Sequence, residues 1–363
     1  MSKELVADYI KKLVPYVPGK PIEELERELG IKDSIKIASN ENPLGPSPMG
    51  VAAAQAMLGN LHRYPDGSAT TLRDRLAKKH GVPAEMIVTG NGSNEILELA
   101  AATFMQAGDH AVISAHAFVV YDLAVDSRGF AKTVVPPTKN YGHDLRAMAK
   151  AVTPKTRLLF IANPNNPTGT YNTRAEMDEL LETLPKEVIV VLDEAYFEFV
   201  DQPDYPDGVE LVKKGANMIA TRTFSKIYGL AGLRCGYGVM PAEMAGYMNR
   251  VRQPFNANML AQAAAEAALD DVEFVDKAKA VNREGMAYLE KTFKEMKIEY
   301  IPSVGNFILF KCPKDTKVAY DQLLRKGVIV RPMGGYKLGE WFRVTVGLPT
   351  ENRRFIEALK EIL

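Results

Sequence analysis

The 363-residue sequence has little cysteine, no excess charge of either sign and no long apolar run. Its two cysteines, Cys235 and Cys312, lie far apart and form no CxxC pair. That argues against a disulfide framework or a zinc knuckle and fits a reducing compartment. Lys plus Arg and Asp plus Glu number 45 each, so the formal net charge is zero. The basic stripe of a nucleic-acid binder is missing. No apolar stretch approaches the roughly 18 residues of a membrane span. The opening MSKELVADYIKKLVPY is amphipathic and lacks the apolar core of a secretory leader. Neither nucleic acid nor membrane is an expected partner, and the cytoplasm is the expected location. The five histidines, His62, His80, His110, His116 and His143, form no HExxH pair. They read as surface or packing residues, with no metal site.

What is present is alternation. A short helix, a turn at VPGKP and a second helix, IEELEREL, open the chain. The Pro-rich SNENPLGPSP that follows is irregular backbone. Strand-like runs then alternate with helical spacing: MIVTG, HAVISA, RLLFIANP, EVIVVLDEAY and NMIATRT. Continuous β-branched runs of this kind predict a parallel sheet buried on both faces, wound with right-handed crossovers into an α/β domain. After about Pro254 the pattern turns to long helices and shorter strands, NFILFK, GVIVRP and WFRVTVG, which predict a smaller α+β domain. The expected division is 1–45 as an N-terminal segment joining the small domain, 46–254 as the large domain, and 255–363 as the small one.

Ligands of open α/β sheets bind beyond the carboxyl ends of the strands. Four motifs fall there. VTGNGSNEI turns on glycines into a helix opening near Ser93, which reads either as a phosphate cradle or as a capped glycine turn. It is neither a dinucleotide fingerprint, since Glu95 holds the third glycine position, nor a Walker A loop. NPNNPTG, Asn163 to Gly169, is either a plain Asn/Pro turn or a rigid mount presenting Asn166. Asp193 ends the apolar run VIVVLD, followed by Tyr196. A carboxylate there is costly unless a cation or donor faces it, though an N-cap would also account for it. TRTFSKIYGLAGLRCGYG places Lys226 after a strand, behind Thr223 and Ser225, with Arg234 following. A lone lysine is usually a solvated surface residue. One partly desolvated beside other cations becomes nucleophilic.

Together the four ask for a ligand with a phosphate, an aldehyde, a phenolic oxygen and a ring nitrogen. Pyridoxal 5′-phosphate has all of them. Lys226 would bond its aldehyde, and Asp193 would hold the ring nitrogen protonated. Asn166 and Tyr196 would bond the ring hydroxyl. Gly92, Ser93, Asn94 and Arg234 would hold the phosphate, with Thr223 and Ser225 nearby.

The order NPNNPTG, DEAY, then SK followed by Arg in GLAGLRCGYG resembles the fold-type I, class I/II aminotransferases over essentially the whole chain. SNENPLGPSP, RYPDGSATTLR, GVIVRPM and FRVTVGLPTENRRFIEAL are similar to the histidinol-phosphate aminotransferase branch. The resemblance implies a mostly parallel central sheet with helices on both faces and a smaller α+β domain. It also implies a Schiff base on Lys226 and ping-pong transfer between L-histidinol phosphate and 2-oxoglutarate, with glutamate as the other product. Phe118 falls where the family stacks a ring on the pyridine. Tyr64 falls where a side chain reaches the neighbouring subunit's phosphate, which implies a homodimer with shared sites. Arg343 matches the arginine that holds the substrate's acidic group, Arg331 and Tyr16 match positions that assist with the substrate phosphate, and Asn42 lies in the segment that closes over substrate. The rival readings are an aromatic amino acid aminotransferase, a threonine-phosphate decarboxylase-like lyase and a non-catalytic sensor that keeps the cofactor pocket.

Overall fold

In the computed structural model, residues 5–16 and 18–363 are described, so the first four residues of the opening stretch lie outside it. Seven strands form the large sheet: β1 (Ile87–Asn91), β2 (His110–Ser114), β3 (Ala131–Val135), β4 (Thr156–Ala162), β5 (Ile189–Asp193), β6 (Met218–Thr223) and β7 (Cys235–Val239). Their order across the sheet is β1-β7-β6-β5-β4-β2-β3. β4, β5 and β6 pair in parallel, as do β2 with β3 and with β4. β7 runs antiparallel to both of its neighbours, β1 and β6. The sheet is therefore mostly parallel, with one strand reversed inside it.

The β-branched runs form strands because both faces are covered. Along β5, Val190 and Leu192 join one apolar cluster while Ile189 and Val191 join the other. The same alternation holds in β4, where Leu159 and Ile161 oppose Leu158 and Phe160. Every residue of β5 and β6 is buried, as a strand covered on both sides requires. Two strands escape the apolar-run pattern. β3 is a half-exposed edge, AKTVV, and β7 is glycine-rich, CGYGV.

A four-stranded antiparallel sheet is built from Tyr300–Ile301, Phe307–Lys311, Arg331–Pro332 and Trp341–Thr345. Helices Val272–Glu295 and Pro349–Ile362 pack on it through Leu289, Phe293, Phe355 and Leu359. The GVIVRP run divides: Val328–Ile329 pairs in parallel with Ile35–Lys36, while Arg331–Pro332 joins the four-stranded sheet. Among the described residues, no helix is long and apolar enough to cross a membrane.

Candidate active site

The carboxyl ends of β1, β2, β4, β5 and β6 share one edge of the large sheet. Because β7 is reversed, its beginning rather than its end lies there, and Arg234 is carried to that edge by the turn before it. A cleft of about 210 Å³ opens at this edge. Ser93, Asn94, Phe118, Asn166, Asp193, Tyr196, Thr223, Ser225, Lys226, Arg234, Tyr16, Arg331 and Arg343 all line it.

One end suits an anion. Helix Ser93–Phe104 begins with Gly92, and no side chain caps it. Its first N–H groups and the positive end of its dipole are open to a ligand. Gly92 has φ +78, and a Cβ there would come within 2.5 Å of Arg234 Nη2. Gly236 is equally tight, since a Cβ would collide with the backbone of Gly92 and Ser93. Glycine at both places lets the guanidinium lie against the helix start. Arg234 Nη1 also donates to Ala231 O at 3.1 Å and faces Ser225 Oγ at 3.4 Å. Thr223 Oγ1 lies 3.0 Å from that same hydroxyl.

At the centre, Asp193 is only 5% exposed. Oδ2 accepts from Tyr121 Oη at 2.9 Å, and Oδ1 accepts from Thr221 Oγ1 and the Ala195 N–H, each at 3.2 Å. Burial pushes this carboxyl up from its ordinary range, and the three donors and Lys226 pull it back. None of the three bonded donors is a cation.

Lys226 Nζ donates to Ser39 O at 3.2 Å and lies 5.7 Å from the Tyr196 ring centre. Burial, then Arg343, lowers its amine to about 8, with Arg234 adding to the effect and Glu41 and Asp193 opposing it. Near physiological pH the larger part of such an amine is still protonated, but far more of it is neutral, the state a nucleophile needs, than of an ordinary lysine. The Tyr196 hydroxyl accepts from Asn40 Nδ2 at 2.8 Å, and burial raises it to about 12.

Toward the other end, Arg343 is buried and burial lowers it from its ordinary value. Its Nη1 donates to Asn166 Oδ1 and its Nη2 to Ala38 O at 2.7 Å. Among the described residues, its buried Nε has no partner. That orphan donor, on a guanidinium facing the cleft, is an open seat for an anion. Arg331 stands across from Arg343 in the ladder, and its guanidinium lies 5.4 Å from the Tyr16 ring centre.

Two expected residues stand apart from the cleft of their own chain. Tyr64 is 81% exposed and stacks on Phe255 with centroids 4.7 Å apart. Asn42 does not line the cleft: its Nδ2 donates to Ile227 O at 2.8 Å and its Oδ1 accepts from the Leu44 N–H. It thus steadies the residue after Lys226. Tyr121, Asn40 and Tyr336 line the cleft without having been singled out. Tyr121 sits among the apolar residues of helix Val119–Asp126, so its spacing reads as core, and only its hydroxyl hints otherwise.

With this geometry in view, the comparisons with known proteins fall into place. The aminotransferase class I and II family description matches residues 32–359. This chain belongs to that family, the class that the fold and the site define. Over 356 residues it is 49% identical to histidinol-phosphate aminotransferase 2 of Pseudomonas fluorescens, spanning 98% of this chain and 96% of that protein. It is also 49% identical to histidinol-phosphate aminotransferase 1 of Nitrosococcus oceani, spanning 99% and 97% respectively. Among solved structures, histidinol-phosphate aminotransferase from Sinorhizobium meliloti, in complex with pyridoxal-5′-phosphate, superposes with a TM-score of 0.90 at 27% identity. That match covers 100% of this chain and 99% of that one.

Proposed function

We propose that this chain is a pyridoxal-phosphate aminotransferase that takes the amino group of L-histidinol phosphate and passes it to 2-oxoglutarate, giving imidazole acetol phosphate and glutamate in histidine biosynthesis. The observation that carries the reading is the convergence of Lys226, Asp193, Arg234 and Arg343 in one cleft. The residues present fit the cofactor. The Gly92–Asn94 helix start and Arg234 suit its phosphate, Lys226 its aldehyde, Asp193 its ring nitrogen and Asn166 with Tyr196 its ring oxygen. Phe118 lines the cleft as a flat apolar wall for the ring. When bound, the cofactor supplies an aldehyde that captures amines and a ring that draws electrons from the carbon bearing them.

The chain's own residues do the rest. Asp193 has neutral donors on its oxygens and no cation bonded to it, so a positive ring nitrogen is the partner it lacks. Lys226 Nζ is the base that moves a proton off the substrate carbon, since its lowered pKa leaves more of it unprotonated than an ordinary lysine. Arg343 and Arg331 receive phosphate in one half-reaction and carboxylate in the other, since a planar guanidinium suits both. Tyr16 stands beside Arg331 at the same end.

We read 46–254 as the large domain and 255–363 as the small one. The ladder between Ile35–Lys36 and Val328–Ile329 supports attaching residues 1–45 to the latter. The assembly we propose is a homodimer in which Tyr64 reaches the neighbouring subunit's phosphate. The cytoplasm is the proposed compartment, which the free, buried thiols of Cys235 and Cys312 favour.

Borohydride treatment of the holoprotein followed by peptide mapping should label Lys226. An unlabelled Lys226 would overturn the reading. Kinetics with L-histidinol phosphate against phenylalanine and tyrosine separate it from an aromatic aminotransferase. Carbon dioxide release from an O-phospho amino acid, without transfer to 2-oxoglutarate, would favour a lyase instead.

A further inference from the structure

Arg331 and Arg343 face each other on adjacent antiparallel strands. The loop between those strands, 333–340, is therefore the tip of a hairpin whose two legs carry both guanidinium groups. It is not free. His116 Nδ1 donates to Tyr336 O at 2.6 Å. Tyr336 lines the cleft together with Phe118. At the loop's far end the ring of Trp341 meets Tyr141 edge-on, centroids 5.4 Å apart. His116 and Tyr141 both belong to the part of the chain that carries the large sheet. The hairpin is thus fastened across the cleft at two points. Gly339 between them, like Gly334 and Gly335 just before Tyr336, has open space around it and adds no grip of its own.

We propose that Tyr336 is a specificity-determining residue for the amine substrate, and that His116 positions it. The proposal rests on the reading that this cleft takes L-histidinol phosphate. An anion alone needs only the guanidinium groups. Tyr336, which shares the cleft lining with Arg343, Arg331 and Tyr16, instead offers a ring to the body of the substrate between its amine and its anion. A ring-bearing substrate gains from that wall, whereas 2-oxoglutarate, with a short aliphatic body, does not. His116 has φ 55, a left-handed conformation that Asn and Gly tolerate and most residues resist. Hence His116→Gly removes the imidazole without straining the backbone, and His116→Asn keeps a donor in the same place.

The test compares Tyr336→Ala, His116→Gly and His116→Asn as holoenzymes. Tyr336→Ala should raise KM for L-histidinol phosphate about tenfold. Its KM for 2-oxoglutarate should stay within about twofold. His116→Gly should move KM the same way, and His116→Asn should restore it. Trp341 is the chain's one tryptophan, so its fluorescence reports the fastening directly. Acrylamide should quench it more readily in His116→Gly than in wild type, and His116→Asn should reverse that. Equal KM changes for both substrates, or unchanged KM in Tyr336→Ala, would overturn the proposal. If wild type itself failed to turn over L-histidinol phosphate, the functional reading would fall. The positioning by His116 would then be decided by quenching alone, and unchanged quenching in His116→Gly would overturn it.

Discussion

Asp193 and Glu194 are consecutive acids at the end of one strand, and the two faces of the sheet treat them in opposite ways. Glu194 is fully buried on the side of the larger apolar cluster. There Arg222 approaches Oε2 through Nε and Nη2, both at 3.2 Å, and Nη2 also reaches Asp207 Oδ1 at 2.8 Å. The Gly208 N–H donates to Oε1 at 2.9 Å. Burial pushes Glu194 up and Arg222 pulls it down, while the surrounding acids raise Arg222 well above its ordinary value. Glu194, Arg222 and Asp207 thus find their partners in one another. Asp193, one residue earlier, has hydroxyls and an N–H instead. A buried acid matched within the chain is structural, since removing either partner strands the other. A buried acid bonded only by neutral donors is a seat for something the chain does not contain.

That contrast can be broken, most severely by Asp193→Asn. Turnover should fall on the order of 10³-fold, with little change in thermal stability. Near-normal turnover would make Asp193 as structural as its neighbour. Arg222→Met should do the reverse, lowering unfolding free energy by about 3 kcal/mol or more while the surviving folded fraction keeps its cofactor site. Denaturant titration alongside active-site titration reads both quantities.

Lys226 sharpens the comparison through pH. Its proton is bound less tightly in the folded chain than in the unfolded one. Folding stability of the cofactor-free protein should therefore climb as pH rises from about 8 toward 10.5. Lys226→Met should flatten that slope and, below pH 8, stabilise the cofactor-free chain by up to roughly 3 kcal/mol. A variant with an unaltered slope would place the lowered basicity elsewhere. Tyr121→Phe should have the smallest effect. It removes the single donor on Asp193 Oδ2, raising that carboxyl's pKa in the cofactor-free protein, as carboxyl-carbon NMR would report. Cofactor affinity should weaken by about 1.5 kcal/mol.

How legible the site was depended on where each residue sits. Lys226, Asp193 and Asn166 sit at strand ends, where a polar side chain after an apolar run stands out. Arg343 does not stand out within WFRVTVG, and only family likeness singled it out. Tyr121 and Asn40 escaped because their meaning is in a partner far along the chain: Tyr121 bonds Asp193, and Asn40 bonds Tyr196. The reversed β7 escaped for a related reason. Its glycines weaken the strand signal, yet they are what lets it press against the helix start that Gly92 opens. Spacing along a chain reports which face a residue takes; it does not report what waits on that face.

The reversal of β7 has a mechanical corollary. Lys226 and Arg234 both hang from the short crossing 224–234 between two neighbouring strands, so their separation is set by the sheet itself. Arg331, Arg343 and Tyr336 hang from the other sheet. On the proposed roles, a swing of one sheet against the other would part the two guanidinium groups from Lys226 without disturbing the spacing of Lys226 and Arg234, so that product could depart and the next molecule enter with the tool still in its vice.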